Sequence, residues 1–297
     1  MKTSKALLST IGVILVSGIL VFGTYGDSKD KLLHEGTAMY FPISVDFAGE
    51  TAPLQITDVK ERLDRELLIN ANLDATTALI IKRANRVFPI IEPILQKYNV
   101  PDDFKYLAVI ESGLTNAVSG SGAKGVWQFM PDTAKEKGME VNDIVDERYH
   151  LEKSTEAACQ YLLAAKEKFG SWTLAAASYN GGMAGVGKRI EEQKVDNYYD
   201  LALTEETSRY VFRILALKEI MKNPAQYGFS IFSSDLYAPI PYKKIEVDST
   251  INDLADFAKM QGINYKILKI HNPWLRDKKL LNPTKKKYEI EIPLSGY

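Results

Sequence analysis

Cysteine is almost absent from this 297-residue chain: Cys159 stands alone, so no disulfide can form within it and packing must hold the fold. Histidine is scarce too. His34, His150 and His271 are scattered without ligand spacing, which argues against a metal centre. A cationic surplus is also missing. The 37 Lys and Arg against 38 Asp and Glu leave a net charge of −1, which argues against nucleic acid as the main partner, because phosphate contacts need excess Lys and Arg. Long repeats and low-complexity tracts do not occur. What is present is ordinary: 45% hydrophobic and 25% charged residues, enough for a sizeable core and, at this length, one main domain with a smaller appendage. Cys159 lies in an Ala- and Leu-rich helical stretch and reads as a buried, inert thiol.

The charge is unevenly placed. Eleven Lys/Arg face seven Asp/Glu between Pro241 and Tyr297, a local surplus of four. Such a tail suits an anionic polymer or surface; a plain solvated face would look the same. At the other end Lys2 and Lys5 precede an apolar run from Ala6 to Phe22, with no acid before Asp27. That is the order of an export signal, so residues 1–26 are expected to direct the chain to the cell envelope. The run is also about as long as a minimal membrane span, roughly 17 residues, which leaves cleavage or retention as an anchor open.

Residues 27–57 read as a linker with an extended piece at Met39–Val45. Helical patterning follows. Val59, Leu63, Leu67 and Leu68 form one stripe. A second helix is expected after Asp74 as N-cap, through Ile80, Val87, Ile91 and Leu95, bent or divided by Pro89 and Pro93. Pro101 opens a third, which Gly113 ends. Ser119 to Gly125 reads as a loop and Pro131 to Lys137 as a short helix. Longer helices are expected over Ser154–Phe169 (Ser154 as cap), Trp172–Tyr179 and Thr204–Met221. Beyond Gly228 the order becomes strand (Lys243–Val247), helix (Ile251–Lys259), helix (Asn264–Ile270), strand (Tyr288–Ile292), a small separate α+β module.

The third helix carries the chemistry. Phe104, Leu107, Ala108 and Glu111 follow i, i+3, i+4, i+7 spacing, so a carboxyl group lies on an apolar face beside a glycine-rich loop. Burial there would raise its pKa, and a Glu tuned towards about 6 can act as a general acid near neutral pH. Spacing alone equally fits a Glu paired with Lys or Arg, or turned to solvent at a frayed end.

The neighbouring motifs decide between these. Glu111-Ser112-Gly113-Leu114, then Ser119-Gly120-Ser121-Gly122-Ala123-Lys124-Gly125-Val126-Trp127-Gln128-Phe129-Met130-Pro131, resemble the first signature of the soluble-type lytic transglycosylases. Asp146-Glu147-Arg148 and Lys153-Ser154-Thr155 follow in the family's order. Ala175-Ala176-Ala177-Ser178-Tyr179-Asn180-Gly181-Gly182 is similar to its Ala-rich Tyr-Asn-Gly motif, and Glu206-Thr207 with Tyr210-Val211 to its Glu-Thr-x-x-Tyr-Val segment. The resemblance covers Asp58 to Tyr227. It departs at Trp127, where Met or Ile is frequent, and at Ser178, where Ala is common; neither removes a group the reaction needs.

The resemblance implies a mainly α, lysozyme-like domain over 58–228. It implies that the partner is the glycan strand of peptidoglycan, cleaved between N-acetylmuramic acid and N-acetylglucosamine to leave 1,6-anhydro ends, without metal or organic cofactor. Glu111 would be the single acid/base. The sugar's own 6-hydroxyl is the nucleophile, so a second carboxylate is not required, as in substrate-assisted exceptions to the two-carboxylate scheme. Ser119, Gln128, Met130, Tyr179, Asn180 and Glu206 would contact substrate. Met130 could equally be core, and Glu206 an ion-pair partner. Asp132, Glu136 and Glu140 sit on a separate piece, unpaired by spacing with Glu111. Residues 240–294 resemble a divergent LysM domain, a βααβ fold implying binding of N-acetylglucosamine chains. Asp248-Ser249-Thr250-Ile251 departs from its usual turn, and an insertion at Trp274–Lys279 weighs against that binding. The rivals are a hydrolytic goose-type lysozyme-like enzyme and a non-catalytic wall-binding protein.

Overall fold

A computed structural model describes residues 39–295; the expected export signal or anchor at 1–26, and the first part of the expected linker, lie outside the described residues. The stretch read as a linker differs from that reading in its described part. Strands β1 (Asp46–Phe47) and β2 (Glu50–Thr51) form a tight antiparallel hairpin. Its turn, Ala48 and Gly49, is left-handed at both residues, the backbone sense that matches strand twist. The physical reason it packs is Phe47, fully buried edge-on to Phe104 with ring centroids 4.9 Å apart.

Helix α1 (Thr57–Asn72) buries Val59, Leu63 and Leu67, as the stripe predicts, but Leu68 is 42% exposed. Position 66 takes its place: Glu66 is buried and its carboxylate accepts from Arg209 at 2.6 Å. Helix α2 (Asp74–Lys97) begins on Asp74 itself, so Asp74 is the first helical residue rather than the cap. Pro89 and Pro93 do not divide it. Both face solvent, where water can meet the carbonyls their missing N–H groups leave unpaired. A 3-10 turn (Asp102–Phe104) leads into α3 (Lys105–Ser112), closed by Gly113 in the left-handed region at φ 59°.

Helix α4 (Pro131–Glu136) follows the groove loop, and α5 (Leu151–Phe169) starts three residues earlier than expected. Ser154 is not its cap, because its hydroxyl donates to the His150 carbonyl instead of accepting from an amide. Helix α6 (Trp172–Gly181) is capped twice. Ser171 accepts from Leu174 N–H, and the carboxylate of Glu50 accepts from the amides of Trp172 and Thr173. Against the upward push of burial, these bonds hold the Glu50 carboxyl below the usual range. An anion at a helix N-terminus is the arrangement the dipole favours, so the hairpin fixes the start of α6. Helix α7 (Met183–Gln193) was not expected, and buries only Val186.

Helix α8 (Glu205–Lys222) is the centre of the domain, packed on α1, α3 and α6. Tyr210, Val211, Phe212, Ile214, Leu215, Ala216 and Leu217 are all buried, the all-round pattern of a core helix. The alanines at 175, 176 and 177 leave no bulk on α6, which lets α5 and α8 close on it. Lys218 is buried as well, paired at 2.6 Å with Asp103 and bonded at 2.7 Å to the Asp46 carbonyl.

The C-terminal part has the expected order: β3 (Tyr242–Val247), α9 (Leu254–Met260), α10 (Tyr265–His271) and β4 (Tyr288–Pro293), with β3 and β4 antiparallel in register Ile245 to Ile290. Asp253 and Asn264 cap the two helices; the first therefore starts at Leu254 rather than Ile251, which instead bridges Leu280. This module is not separate. Val145 and Tyr149 of the helical domain sit in one core with Leu254, Leu268, Trp274, Leu280 and Ile290. Among the described residues no helix is long and apolar enough to cross a membrane.

Candidate active site

On α3, Leu107 and Ala108 are buried and anchor the face on which Glu111 also lies. Its carboxyl group is sheltered at the end of the helix, and the Tyr210 hydroxyl of α8 donates to Oε1. Arg213, one turn further along α8, donates to the Ile110 carbonyl at 3.0 Å and so holds its charge near Glu111. Burial is the largest influence on Glu111 and pushes its pKa up to about 7; Tyr210 and Arg213 oppose that push, and the charge of Glu206 adds to it. The group is therefore divided between acid and carboxylate near neutral pH, the condition for giving and then accepting a proton. The rise is larger than the sequence-based figure.

The groove loop is tied from several sides. Ser112 Oγ donates to the Val126 carbonyl at 2.8 Å, joining the end of α3 to it. Lys124 bridges both Val118 and Phe129. Ser119 Oγ accepts from Ala123 N–H at 2.9 Å and lies 3.0 Å from Ser121 Oγ; it makes no hydrogen bond to Glu111. Gln128 is left-handed at φ 51°, and its Nε2 donates to the carbonyls of Gly125 (2.7 Å) and Ala117 (3.1 Å). Trp127 is core, its indole N–H bonded to Thr155 at 2.8 Å.

Beside this loop lies a groove of about 460 Å³ lined by Gln128, Phe129, Met130, Tyr161, Tyr179 and Asn180, among others. Met130 is 43% exposed and so is not a core residue. The Tyr179 hydroxyl donates to the Trp127 carbonyl at 2.8 Å, and its ring packs edge-on to Phe129 and Tyr161. Burial, then the nearby charge of Glu111, pushes the Tyr179 phenol far up, so it stays a neutral donor. Asn180 is pinned from both ends: Nδ2 donates to Glu206 at 2.9 Å, and Oδ1 accepts from Thr207 Oγ1 at 2.7 Å. The structure thus brings Gln128, Met130, Tyr179 and Asn180 to one groove, with Glu206 joined through Asn180. Glu111 lies near enough for its charge to act on the Tyr179 phenol, and Ser119 serves the turn of the loop.

Two groups were assigned no role by sequence. Tyr210 and Arg213 lie four and seven residues after Glu206, one face of a helix; that spacing groups them with Glu206, but only the docking of α8 on α3 brings them to Glu111. Among the described residues no His, Cys, Asp and Glu cluster is arranged to hold a metal.

A helical domain with one sheltered carboxyl group at the end of a short helix, joined to a βααβ module, defines a class. Residues 88–201 match the family model of the transglycosylase SLT domain, and residues 243–296 that of the soluble lytic transglycosylase C-terminal LysM-like domain. The two matches fall on the helical part and on the βααβ part of the chain, whose fold class is the one expected. Membrane-bound lytic murein transglycosylase D of Escherichia coli (strain K12) is 32% identical over 184 residues, 60% of this chain and 40% of that protein. The same protein from Escherichia coli O6:H1 (strain CFT073) aligns to the same extent. The chain therefore spans about 40% of the length of these curated relatives.

Proposed function

We propose that this chain cleaves peptidoglycan glycan strands between N-acetylmuramic acid and N-acetylglucosamine, leaving 1,6-anhydromuramoyl ends, with Glu111 as sole acid and base. The observation that carries this is the sheltered Glu111 carboxyl group, poised near neutrality by burial and held by Tyr210. Because Oε1 accepts from Tyr210, the transferable proton belongs on the other oxygen. Glu111 gives it to the glycosidic oxygen. The carboxylate that forms is stabilised by the Tyr210 hydroxyl and the Arg213 charge. It then takes the proton of the muramoyl 6-hydroxyl as that oxygen closes on its own anomeric carbon. Gln128, Met130, Tyr179 and Asn180 hold the sugars in the groove, Glu206 orients Asn180, and Ser119 shapes the loop they border.

Residues 58–228 are the catalytic domain in this reading and 240–294 the LysM-like module. The run Ala6–Phe22 takes the chain to the envelope and can hold it at the membrane, in keeping with the membrane-bound relative. One observation favours the hydrolytic rival: the charge of Glu206 reaches Glu111, and a second carboxylate could orient water. Mass spectrometry of murein digested by wild type and Glu111→Gln separates the two. Anhydro ends from wild type and no products from the variant are expected; reducing ends alone would replace this reading with hydrolysis.

A further inference from the structure

Between the LysM-like module and the groove runs a connection through residues 140–150, buried from Val145 to Tyr149. On the module side, Arg276 N–H donates to the Ile144 carbonyl at 2.7 Å, Val145 bridges Leu275, and Asp146 N–H donates to the Trp274 carbonyl at 2.9 Å. These partners belong to the insertion Trp274–Lys279, the stretch that departs from the LysM pattern. Trp274 itself stacks between His150 and Tyr288, with ring centroids 5.8 Å and 5.6 Å away. Lys286 reaches Glu140 at 2.7 Å and Glu147 at 3.1 Å, and the Tyr288 hydroxyl donates to Glu140 at 2.9 Å.

On the groove side the same residues grip the loop. The Asp146 carboxylate takes two bonds from Arg148, from Nε at 2.9 Å and Nη2 at 2.8 Å. The remaining nitrogen, Nη1, donates to the carbonyls of Gly122 (3.1 Å) and Phe129 (3.2 Å), one on each limb of the loop. The Arg148 carbonyl also lies directly under Gly125, where an added Cβ would stand only 1.8 Å from it. Arg148 is 3% exposed. A planar guanidinium with both forks engaged has one orientation, so the place of Asp146 dictates the place of the loop.

We infer that Arg148 is a positioning residue for the groove loop and that the LysM-like module, seated on residues 144–149, is a built-in buttress of the groove rather than a tethered wall anchor. The insertion that spoils the LysM pattern is the part that makes the seat. The inference rests on the cleavage reading for its kinetic consequence but not for its structural one.

The test uses full-length chains: the seam variant Lys286→Met/Tyr288→Phe, Arg148→Lys, and Lys287→Ala as control, since exposed Lys287 pairs with Glu246 inside the module. Hydrogen exchange is followed at the amides of Lys124 and Gly125, which bond to Phe129 and Ala117 carbonyls within the loop region. Initial rates are measured on a short soluble murein oligosaccharide and on insoluble sacculi. Exchange about tenfold faster in both the seam and Arg148→Lys variants is expected. So is a kcat on the soluble fragment about tenfold lower with KM nearly unchanged, because small misplacements of positioning groups act on kcat. Arg148→Lys keeps the charge and guards against simple loss of fold. Unchanged exchange overturns the inference whatever the activity. So does a defect confined to sacculi, which is the behaviour of an anchor. If wild type cleaves neither substrate the cleavage reading fails, and exchange still decides this one.

Discussion

At the scale of the residue, the reading turns on one carboxyl group whose proton affinity follows from its surroundings. Glu111 titrates near 4.5 when unfolded and near 7 in the fold. Between those values the folded chain binds the extra proton, so its stability falls as pH rises from about 4.5 through 7. Glu111→Gln keeps an acceptor for Tyr210 without the charge. It should gain on wild type at pH 8 by on the order of 3 kcal/mol, less what groove water screens, and converge with it below pH 4.5. Urea denaturation at the two pH values measures this; equal curves at pH 8 would mean that burial is not what tunes the group. Catalysis reports the same titration. A general acid must hold its proton in the free enzyme, so kcat/KM should fall as pH rises through about 7. In Tyr210→Phe, which loses the bond that favours the carboxylate, that limb should move to higher pH. Glu111 was legible in the sequence because its face follows from local spacing. Tyr210 was not, because it lies 99 residues away and only the docking of α8 on α3 brings it near.

At the scale of the element, the groove loop shows how one backbone position can be fixed by another. Gly125 sits at φ 83° with the Arg148 carbonyl where a side chain would begin. Gly122, in the same loop, is at φ 90° but has open space around it. Alanine at 122 should therefore carry only the left-handed penalty, about 1–2 kcal/mol. Alanine at 125 adds a clash with backbone that Asp146 and Phe129 hold in place. It should cost at least about 3 kcal/mol and lower kcat about a hundredfold by displacing Gln128. Thermal melts and kinetics of the pair check this, and equal effects at 122 and 125 would refute it. The run of glycines announced a loop, and no local signal told which glycine was obligatory, because that depends on a chain segment more than twenty residues on. The same limit explains helix α7. With Val186 alone buried and Gly185 and Gly187 inside it, it has too thin an apolar stripe to be read from periodicity. The first hairpin escaped because a two-residue strand offers almost no alternation, and its stability comes from Phe47 and Glu50 reaching distant helices.

At the scale of the molecule, the order of elements and the βααβ module were readable because each is a local pattern; their union was not. The sequence changes character after Gly228, which implied a separate body, yet Val145 and Tyr149 complete the core of the module. A shared core predicts shared unfolding. Cys159 gives a reporter on the helical side: it is fully buried in α5, and burial pushes its thiol up to about 12, so it should resist thiol reagents until the chain opens. Trp274 gives the other, buried in the module and stacked on His150 at the start of α5. In urea, labelling of Cys159 and fluorescence of a variant retaining only Trp274 should trace one coincident transition, the behaviour of a single cooperative unit. Trp127 and Trp172 would be replaced by Phe in that variant, and its far-ultraviolet dichroism curve compared with that of wild type to show that cooperativity is retained. Trp274 reporting a midpoint below that of Cys159 would mean that the module melts on its own, and that residues 144–149 join two bodies without fusing them.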